Sequence, residues 1–277
     1  MYCDSHCHPF DLLDFLGKSE LESCRKDVAC AASSWNLEQF EFHESFAKKA
    51  ASQGDAPVVL CYAVHPQLPA SLLSNDVLPA GNIDEGKLIK EDLLHLLENL
   101  AGEKRLDAIG ETGFDLFNEE YRETEKIQDE IFLYHLETAI KYNLPMVIHA
   151  RKAMHKIFSY ITNLRKVPAV IFHSWPGTTG EAESLLRRGV NAFFSFGATI
   201  TNNRRESQRS CAVLPAERLL LETDAPYLPQ RGKNFSSWID LPITASTLAR
   251  LRKEAASKVN SLEEIEAQCE ENFFRAF

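Results

Sequence analysis

The sequence predicts an α/β protein: a single closed (β/α)₈ barrel, or TIM barrel, with additional C-terminal helices. Eight short runs of apolar and β-branched residues recur along the 277 residues, and a longer stretch of helical character follows each of them. The runs are apolar almost throughout, which is typical of parallel strands buried on both faces. Eight such alternations in a chain of this length indicate a closed barrel rather than an open doubly wound sheet.

The predicted strands are short, and several end in a polar residue. In chain order they are YCDSHCH (2–8), DVACAAS (27–33), PVVLCYAVH (57–65), LDAIGET (106–112), LPMVIHA (144–150), PAVIFHS (168–174), VNAFFSFG (190–197) and RLLLETD (218–224). Apolar residues three or four positions apart predict helices in LEQFEFHESFAKKAAS, EDLLHLLENLAGE and TEKIQDEIFLYHLETAIKY. After Asp224 we expect a loop and two helices, the last beginning at a capping box of Ser261 and Glu264.

The chain shows no internal repeat, low-complexity tract or interdomain linker, so residues 1–277 are predicted to form one domain. One connection is long: residues 66–87 follow the third strand without clear periodicity. Loops beyond about 12–15 residues are often functional. Because this loop leaves the C-terminal end of a barrel strand, we expect it to border the active-site face.

Composition excludes some classes of function. The net charge of −10 argues against broad, non-specific adhesion to nucleic acid or anionic membranes, but not against a local basic mouth. The sequence shows neither a long apolar run nor a basic stretch followed by an apolar one, so no membrane span or secretory signal is predicted and a cytoplasmic location is expected. The seven cysteines form no CxxC pair, which predicts reduced, mostly buried thiols.

The first ten residues, MYCDSHCHPF, place polar side chains at alternating positions of the first strand. Strand geometry puts Asp4, His6 and His8 on one face and the intervening cysteines and serine on the other, which turns Cys7 away as a ligand. A histidine pair on one face is a common way to hold a divalent transition metal. An edge strand with incidental or backbone-bonded histidines is the alternative.

Other titratable residues end other predicted strands, and the barrel assignment brings them to one mouth. With His6 and His8 they are Glu111, His149, His173 and Asp224. Four imidazoles and two carboxylates exceed the three or four ligands of one zinc site, so two divalent ions sharing a carboxylate are predicted. Unrelated buried polar groups are the alternative. Zinc, manganese, nickel or cobalt would suit nitrogen-rich ligands, and magnesium less so.

At these residues the chain resembles a known family. DSHCH (4–8), GETGFD (110–115), HAR (149–151), HSWPG (173–177) and ETDAPYL (222–228) are similar to motifs of the TatD family of metal-dependent deoxyribonucleases. AVHP (63–66) and the terminal NFFRAF match further family segments, so the resemblance covers essentially the whole chain. It implies an amidohydrolase-like TIM-barrel hydrolase that uses two divalent ions to cleave DNA phosphodiesters.

The resemblance also implies roles for the matched residues. One ion would be held by His6, His8 and Asp224. The other would be held by His149 and His173, and Glu111 would bridge the two ions. His65 and Arg151 fall where the family places groups near the scissile phosphate. Asp224 is the candidate to orient the attacking water and accept its proton. Arg151 can clamp a phosphate oxygen. A strand-end cap for His65 and a surface ion pair for Arg151 are the alternatives.

The sequence departs from the family pattern in the loops that would surround the mouth. The departures are Pro9-Phe10, Lys152, Trp175-Pro176 and the segment RGKNF (231–235). None removes a predicted metal ligand, so they bear on substrate preference rather than on the metal site.

Further substrate contacts are predicted around the mouth. Trp175 could stack on a base or simply pack beside its strand. Basic residues follow strands five, seven and eight and would form a track for phosphates, unless they are merely solvated; they are Arg151, Lys152, Arg204, Arg205, Arg209, Arg231 and Lys233. The helical histidines at 43, 95 and 135 are interpreted as structural or solvent-facing, and His155 as close to the fifth mouth loop.

The predicted function is therefore a metal-dependent deoxyribonuclease that acts exonucleolytically on single-stranded DNA ends, with no membrane association and no obligate protein partner. An amidohydrolase-type enzyme cleaving an amide, lactone or ester is the alternative, because fold and metal do not fix the scissile bond. A catalytically silent metal-binding protein is a third possibility. Turnover of nucleic acid against carbonyl substrates distinguishes them.

Overall fold

Eight parallel strands, hydrogen-bonded to one another in chain order, form the central sheet of the computed structural model. The structure describes the backbone of residues 1–73 and 83–277 and the side chains of residues 1–71 and 90–277. The strands are β1 (Tyr2–Cys7), β2 (Val28–Ser34), β3 (Val58–Tyr62), β4 (Ala108–Asp115), β5 (Met146–Arg151), β6 (Val170–Phe172), β7 (Ala192–Phe196) and β8 (Leu219–Leu221). Each overlaps a predicted strand, and the predicted barrel class is confirmed.

Helices follow the strands and form the outer layer. They are α1 (Pro9–Arg25), α2 (Leu37–Gln53), α3 (Leu68–Leu73), α4 (Ile83–Gly102), α5 (Glu119–Glu123), α6 (Glu125–Tyr142), α7 (Met154–Ser159), α8 (Ile161–Leu164), α9 (Thr179–Arg187), α10 (Ala198–Thr201), α11 (Arg205–Val213), α12 (Leu241–Glu254) and α13 (Leu262–Ala276). The Ser261 hydroxyl and the Glu264 carboxylate form the predicted capping box of α13.

The barrel is nearly closed by contacts between the first and last strands. Beyond β8 the Asp224 N–H donates to the His6 carbonyl (3.0 Å) and the His8 N–H donates to the Ala225 carbonyl (2.7 Å). The buried Asp4 carboxylate accepts from the Thr223 N–H (2.9 Å) and from its hydroxyl (2.5 Å). Burial raises the Asp4 pKa to about 7. This closure places Asp224 beside His6 and His8.

The core has two layers. Small residues fill the barrel interior on the early strands, among them Cys3, Ala29 and Ala108, and α13 covers this inner cluster with Phe273. A larger cluster lies between the sheet and the helices. Because α13 covers one end of the barrel, the opposite end, where the strands finish, can hold polar groups.

The predicted alternation along β1 is wrong in detail. The pairing of β1 with β2 slips between Asp4 and Cys7. Cys3 consequently lies in the inner cluster, and Cys7 lies in the outer one, where its Sγ contacts the Ala31 carbonyl. Ser5 also points inward, since its hydroxyl is 2.6 Å from the Ser195 hydroxyl of β7, two strands away. The slip lets inward-facing residues continue into the histidine pair.

The connection after β3 is not the uniform loop that was predicted. Residues 68–73 are helical, and α4 begins at Ile83, before the predicted helix. Residues 74–82 of the predicted loop lie outside the described residues. All seven cysteines are free and six are buried, as predicted. No helix among the described residues combines the length and apolar character needed to cross a membrane.

Candidate metal centre

Imidazole nitrogens and carboxylate oxygens from six strand ends converge at the mouth of the barrel. Three groups have ligand atoms within 4.8 Å of one another: His6, His173 and Asp224; His6, His8 and Glu111; and His65, Glu111 and His149. The six predicted metal ligands therefore lie together, and His65 joins them.

One side of the cluster gathers around Oε2 of Glu111. His6 Nε2 lies 3.2 Å and His8 Nε2 3.7 Å from this oxygen. The same two nitrogens lie 3.4 Å and 3.6 Å from Asp224 Oδ1, and 3.2 Å from each other. Two imidazoles and two carboxylates thus enclose one small space.

The other side gathers around Oε1 of Glu111. His149 Nδ1 lies 2.7 Å, His173 Nε2 3.0 Å and His65 Nε2 3.3 Å from this oxygen. His149 Nδ1 and His173 Nε2 are 3.2 Å apart. The two oxygens of Glu111 therefore face two separate sets of imidazoles.

These separations fit divalent ions. Ligands at about 2.0–2.2 Å from an ion in a tetrahedron lie about 3.3–3.6 Å apart. The nitrogen–oxygen distances around Oε2 and Asp224 span that range. Around Oε1 only His65, at 3.3 Å, reaches it, and His149 and His173 lie at the shorter hydrogen-bonding distances of 2.7 Å and 3.0 Å. Imidazole and carboxylate donors suit zinc and its first-row neighbours. The metal centre predicted from the sequence is thus sterically and chemically feasible.

Local backbone features aim two of the carboxylates. The pairing of β4 with β5 slips between Ile109 and Thr112, around Glu111. Beyond the slip, Gly113 pairs with His149, and a Cβ on Gly113 would come within 2.0 Å of the His149 carbonyl oxygen. Only glycine lets the two strands approach so closely here. Asp224 has a φ of 56°, in the left-handed region that Asp tolerates better than most residues.

Neighbouring side chains orient the imidazoles. The Ser33 hydroxyl is 3.2 Å from His6 Nδ1, and Asp115 Oδ2 is 3.2 Å from His149 Nε2. Glu222 Oε2 lies 3.7 Å from His173 Nδ1, too far for a hydrogen bond, and neither of these buried atoms has a hydrogen-bond partner among the described residues. Carboxylates behind metal-binding histidines fix ring orientation. Asp115 and Glu222 were not predicted, although both lie inside recognised motifs.

Two buried helical histidines anchor the ligand-bearing segments. His43 Nε2 accepts from the Phe10 N–H (3.1 Å), two residues after His8. His135 Nε2 accepts from the Val64 N–H (3.2 Å), next to His65. Burial lowers the pKa of both imidazoles to about 3, so they are neutral acceptors at physiological pH. Their predicted structural role agrees with this geometry.

The cluster strongly perturbs its own protonation. Burial disfavours the charged form of Glu111, but His65, His173 and His6 outweigh it and hold the pKa of this carboxyl well below its usual range. Burial and His173 oppose a proton on His6, yet Glu111 and Asp224 raise its pKa to about 9. The pKa of His173 is also raised, by Glu111 and Glu222 against burial. In His65 burial prevails and lowers the pKa.

The predicted substrate contacts are placed unequally. Arg151 is exposed at the end of β5, and its guanidinium carbon lies 3.6 Å from the ring centroid of Phe117. Trp175 is fully buried and packs edge-on against Phe172 and Phe194. The prediction that Trp175 stacks on a base is therefore wrong, and packing accounts for it.

The basic residues after β7 and β8 lie on adjoining loops. Arg204 and Arg205 are exposed at the start of α11, and the exposed Arg231 donates its N–H to Asn202 Oδ1 (2.9 Å) of the β7 loop. Lys233 instead forms an ion pair with Asp240. Its charge is already neutralised, so we remove Lys233 from the predicted phosphate track.

Comparisons with known proteins point to one family. A family model described as TatD related DNase matches residues 3–277. The 3′-5′ ssDNA/RNA exonuclease TatD of Cronobacter sakazakii is 34% identical over 169 residues, covering 57% of this chain and 62% of that protein. The "uncharacterized metal-dependent hydrolase YcfH" of Escherichia coli is 30% identical over 288 residues, covering 99% of this chain and 94% of that protein.

Solved structures share the fold. YjjV, a TatD homolog from Escherichia coli, aligns with a TM-score of 0.76 at 23% identity, covering 100% of this chain and 97% of that one. An amidohydrolase from Saccharomyces cerevisiae aligns with a TM-score of 0.73 at 14% identity, covering 100% and 99%. The chain spans 50–63% of the length of the TatD exonucleases it matches. Because the family model matches residues 3–277, almost the whole chain, the chain belongs to the TatD family of metal-dependent hydrolases.

Proposed function

We propose that this chain is a nuclease that hydrolyses phosphodiester bonds of DNA, with single-stranded ends as its preferred substrate. The observation that carries the proposal is the division of the Glu111 carboxylate between two sets of imidazoles at the barrel mouth. The exonuclease names of several relatives support nucleic acid as the substrate. We further propose that it acts in the cytoplasm without an obligate protein partner.

The donor set fits two divalent ions with Glu111 between them. The proposed ligands of one ion are His6, His8 and Asp224; those of the other are His149 and His173, with His65 at a comparable distance from Glu111. Bound there, such ions would lower the pKa of a coordinated water and stabilise negative charge on phosphate oxygens. The nitrogen-rich donors favour zinc, manganese, cobalt or nickel over magnesium.

Two side chains of the chain itself complete the proposed chemistry. Asp224 is ionised, because His6 and His8 lower its pKa against the effect of burial. It can orient the attacking water and accept its proton. Arg151 presents an exposed guanidinium that can bind a non-bridging phosphate oxygen through charge-assisted hydrogen bonds.

Arg204, Arg205 and Arg231 are proposed to guide the substrate. Their loops adjoin at the mouth, while the chain as a whole carries a net charge of −10. Replacing all three with Ala should flatten the salt dependence of single-stranded DNA binding. The control replaces Arg165, Arg187 and Arg188, which lie at or just after the ends of α8 and α9 and before the next strands. Equal salt slopes in the two triple variants would remove the basic track.

The function is tested by a cleavage assay across metals. Metal-free protein is loaded with each candidate ion and given end-labelled single-stranded DNA, duplex DNA, RNA and a panel of amides, lactones and esters. We expect stepwise shortening of the single strand, absent from Asp224→Asn purified identically. Cleavage of carbonyl substrates alone would favour the amidohydrolase alternative, and equal cleavage by the variant would indicate a contaminating nuclease.

A further inference from the structure

Phe117 is an aromatic residue left half exposed beside the metal cluster. It lies two residues beyond the end of β4, and 50% of its surface is exposed. Its backbone N–H donates to Asp115 Oδ1 (3.0 Å), and the other oxygen of Asp115 contacts His149. The position of Phe117 is therefore tied to an imidazole of the cluster.

The ring of Phe117 lies against the guanidinium of Arg151. The strands fix both partners: Asp115 pairs with Arg151 across the sheet, and the Leu116 N–H donates to the Arg151 carbonyl (2.9 Å). A separation of 3.6 Å between the guanidinium carbon and the ring centroid is a close face contact. Among the described residues Arg151 forms no ion pair, so its charge stays available.

This arrangement is not explained by core packing. An aromatic ring that served only to fill the core would be buried, as Trp175 is. Phe117 keeps half its surface exposed although Arg151 covers part of the ring. An apolar surface next to an unpaired positive charge matches the two parts of a nucleotide, a flat base and a phosphate.

We propose that Phe117 and Arg151 form a nucleotide-binding element, in which Phe117 stacks on the base next to the phosphate that Arg151 holds. The inference rests on the proposed nuclease function and adds to it the contact for a base. Stacking accepts every base, so the element discriminates by strand state rather than by sequence. A base in a duplex is already paired and stacked, and must be extruded before it can reach Phe117.

The test is a thermodynamic cycle between protein and substrate. Binding of fluorescent oligothymidylate is measured by anisotropy on zinc-loaded protein in an Asp224→Asn background, chosen to suppress turnover. One abasic nucleotide is moved through the terminal positions of the oligonucleotide. The protein variants are Phe117→Ala, Phe117→Leu and Phe117→Trp, with Phe274→Ala as control, because Phe274 is 51% exposed on α13 at the other end of the barrel.

We expect Phe117→Ala to weaken binding about tenfold. An abasic nucleotide at one position should weaken binding to a similar degree, and the two changes together should weaken it little further. Phe117→Leu keeps an apolar support under Arg151 but should behave like Phe117→Ala, whereas Phe117→Trp should restore binding. Phe274→Ala should have no effect. If Phe117→Ala does not fold, Phe117→Leu carries the cycle.

Base stacking would be overturned if the losses of affinity from Phe117→Ala and from the abasic nucleotide multiplied at every position tested. Normal binding by Phe117→Leu would also overturn it, and either result would leave Phe117 as a support for Arg151. The unaltered protein is assayed for cleavage in parallel. Coupling without any cleavage would refute the proposed catalysis and leave the binding element standing. Cleavage without coupling would refute only the binding element, and absence of all binding would overturn both.

Discussion

Lowering the pH should weaken metal binding steeply, because protons and ions compete for the same imidazole nitrogens. In the metal-free protein Glu111 and Asp224 outweigh burial and the neighbouring His173 and raise the His6 pKa to about 9. The pKa values of His149 and His173 are raised as well. An ion that binds these nitrogens must displace their protons.

The size of the effect follows from the pKa of His6. A pH of 6 is about three units below the His6 pKa of about 9. At about 1.4 kcal/mol per unit, removing the proton from His6 at this pH costs about 4 kcal/mol. The cost vanishes above about pH 9, so His6 alone should raise the apparent affinity about a thousandfold across this range. Because the pKa values of His149 and His173 are also raised, more than one proton should be released for each ion that binds.

The sign for folding of the metal-free protein is the opposite. A His6 pKa raised above its unfolded value of about 6.5 stabilises the fold fully below that pH, and the contribution is lost as the pH rises towards 9. The loss is at most about 3 kcal/mol of unfolding free energy. The metal-loaded protein should instead gain stability with pH.

The assay measures free Mn²⁺ by electron paramagnetic resonance during titration at a series of pH values, with urea unfolding of the metal-free protein in parallel. His95→Gln is the control, because His95 is exposed on α4 outside the cluster. An affinity that changes less than tenfold per pH unit, together with a metal-free stability that does not fall between about pH 6.5 and pH 9, would show that His6 is not protonated in the metal-free site.

Three substitutions test other parts of the account. Glu111→Gln replaces one of the two carboxylate oxygens by an amide NH2, which cannot ligate a metal ion, so elemental analysis should find one ion or none; two retained ions would contradict the bridge. Asp224→Asn should lower turnover at least about a hundredfold in matched metal while keeping the fold, and a near-parental rate would reject Asp224 as the base. Gly113→Ala puts a Cβ within 2.0 Å of the His149 carbonyl and should lower the unfolding free energy in urea by at least about 1–3 kcal/mol. Gly180→Ala, where a Cβ meets nothing within 4 Å, is its control and should not be destabilised.

The strands and the meeting of the ligands could be predicted from the sequence. Buried parallel strands have a plain apolar signature, and the barrel rule converts strand ends far apart in sequence into neighbours in space. Glu111 and Asp224 are 113 positions apart, yet each lies within 4 Å of His8 Nε2. Spacing and topology suffice for that inference.

Side-chain direction could not be predicted in the same way. The slips in β1 and β4 change which residues face inward, and they depend on pairing with neighbouring strands rather than on local pattern. His65 is predicted to lie near the phosphate, and its position in the sequence did not indicate that its Nε2 would also lie 3.3 Å from Glu111 Oε1. A strand-end position places a residue at the mouth without deciding what it touches.

Trp175 shows how packing can override position. Its indole is buried against two aromatic rings, and a Cβ on Gly177 would lie 2.5 Å from it. Gly177, two residues later, makes room for the ring. This glycine in HSWPG was the sequence feature that could have indicated a packed Trp175. Similarly, Lys233 follows β8, as a residue of the predicted phosphate track would. It forms an ion pair with Asp240, seven residues later, instead.

The most direct test of the central claim, that Glu111 bridges two divalent ions, is anomalous scattering from crystals of the manganese-loaded or zinc-loaded protein. We expect two peaks, one on each side of Glu111. One should lie beside His6, His8 and Asp224, and the other beside His149 and His173. A single peak remote from Glu111 would contradict it.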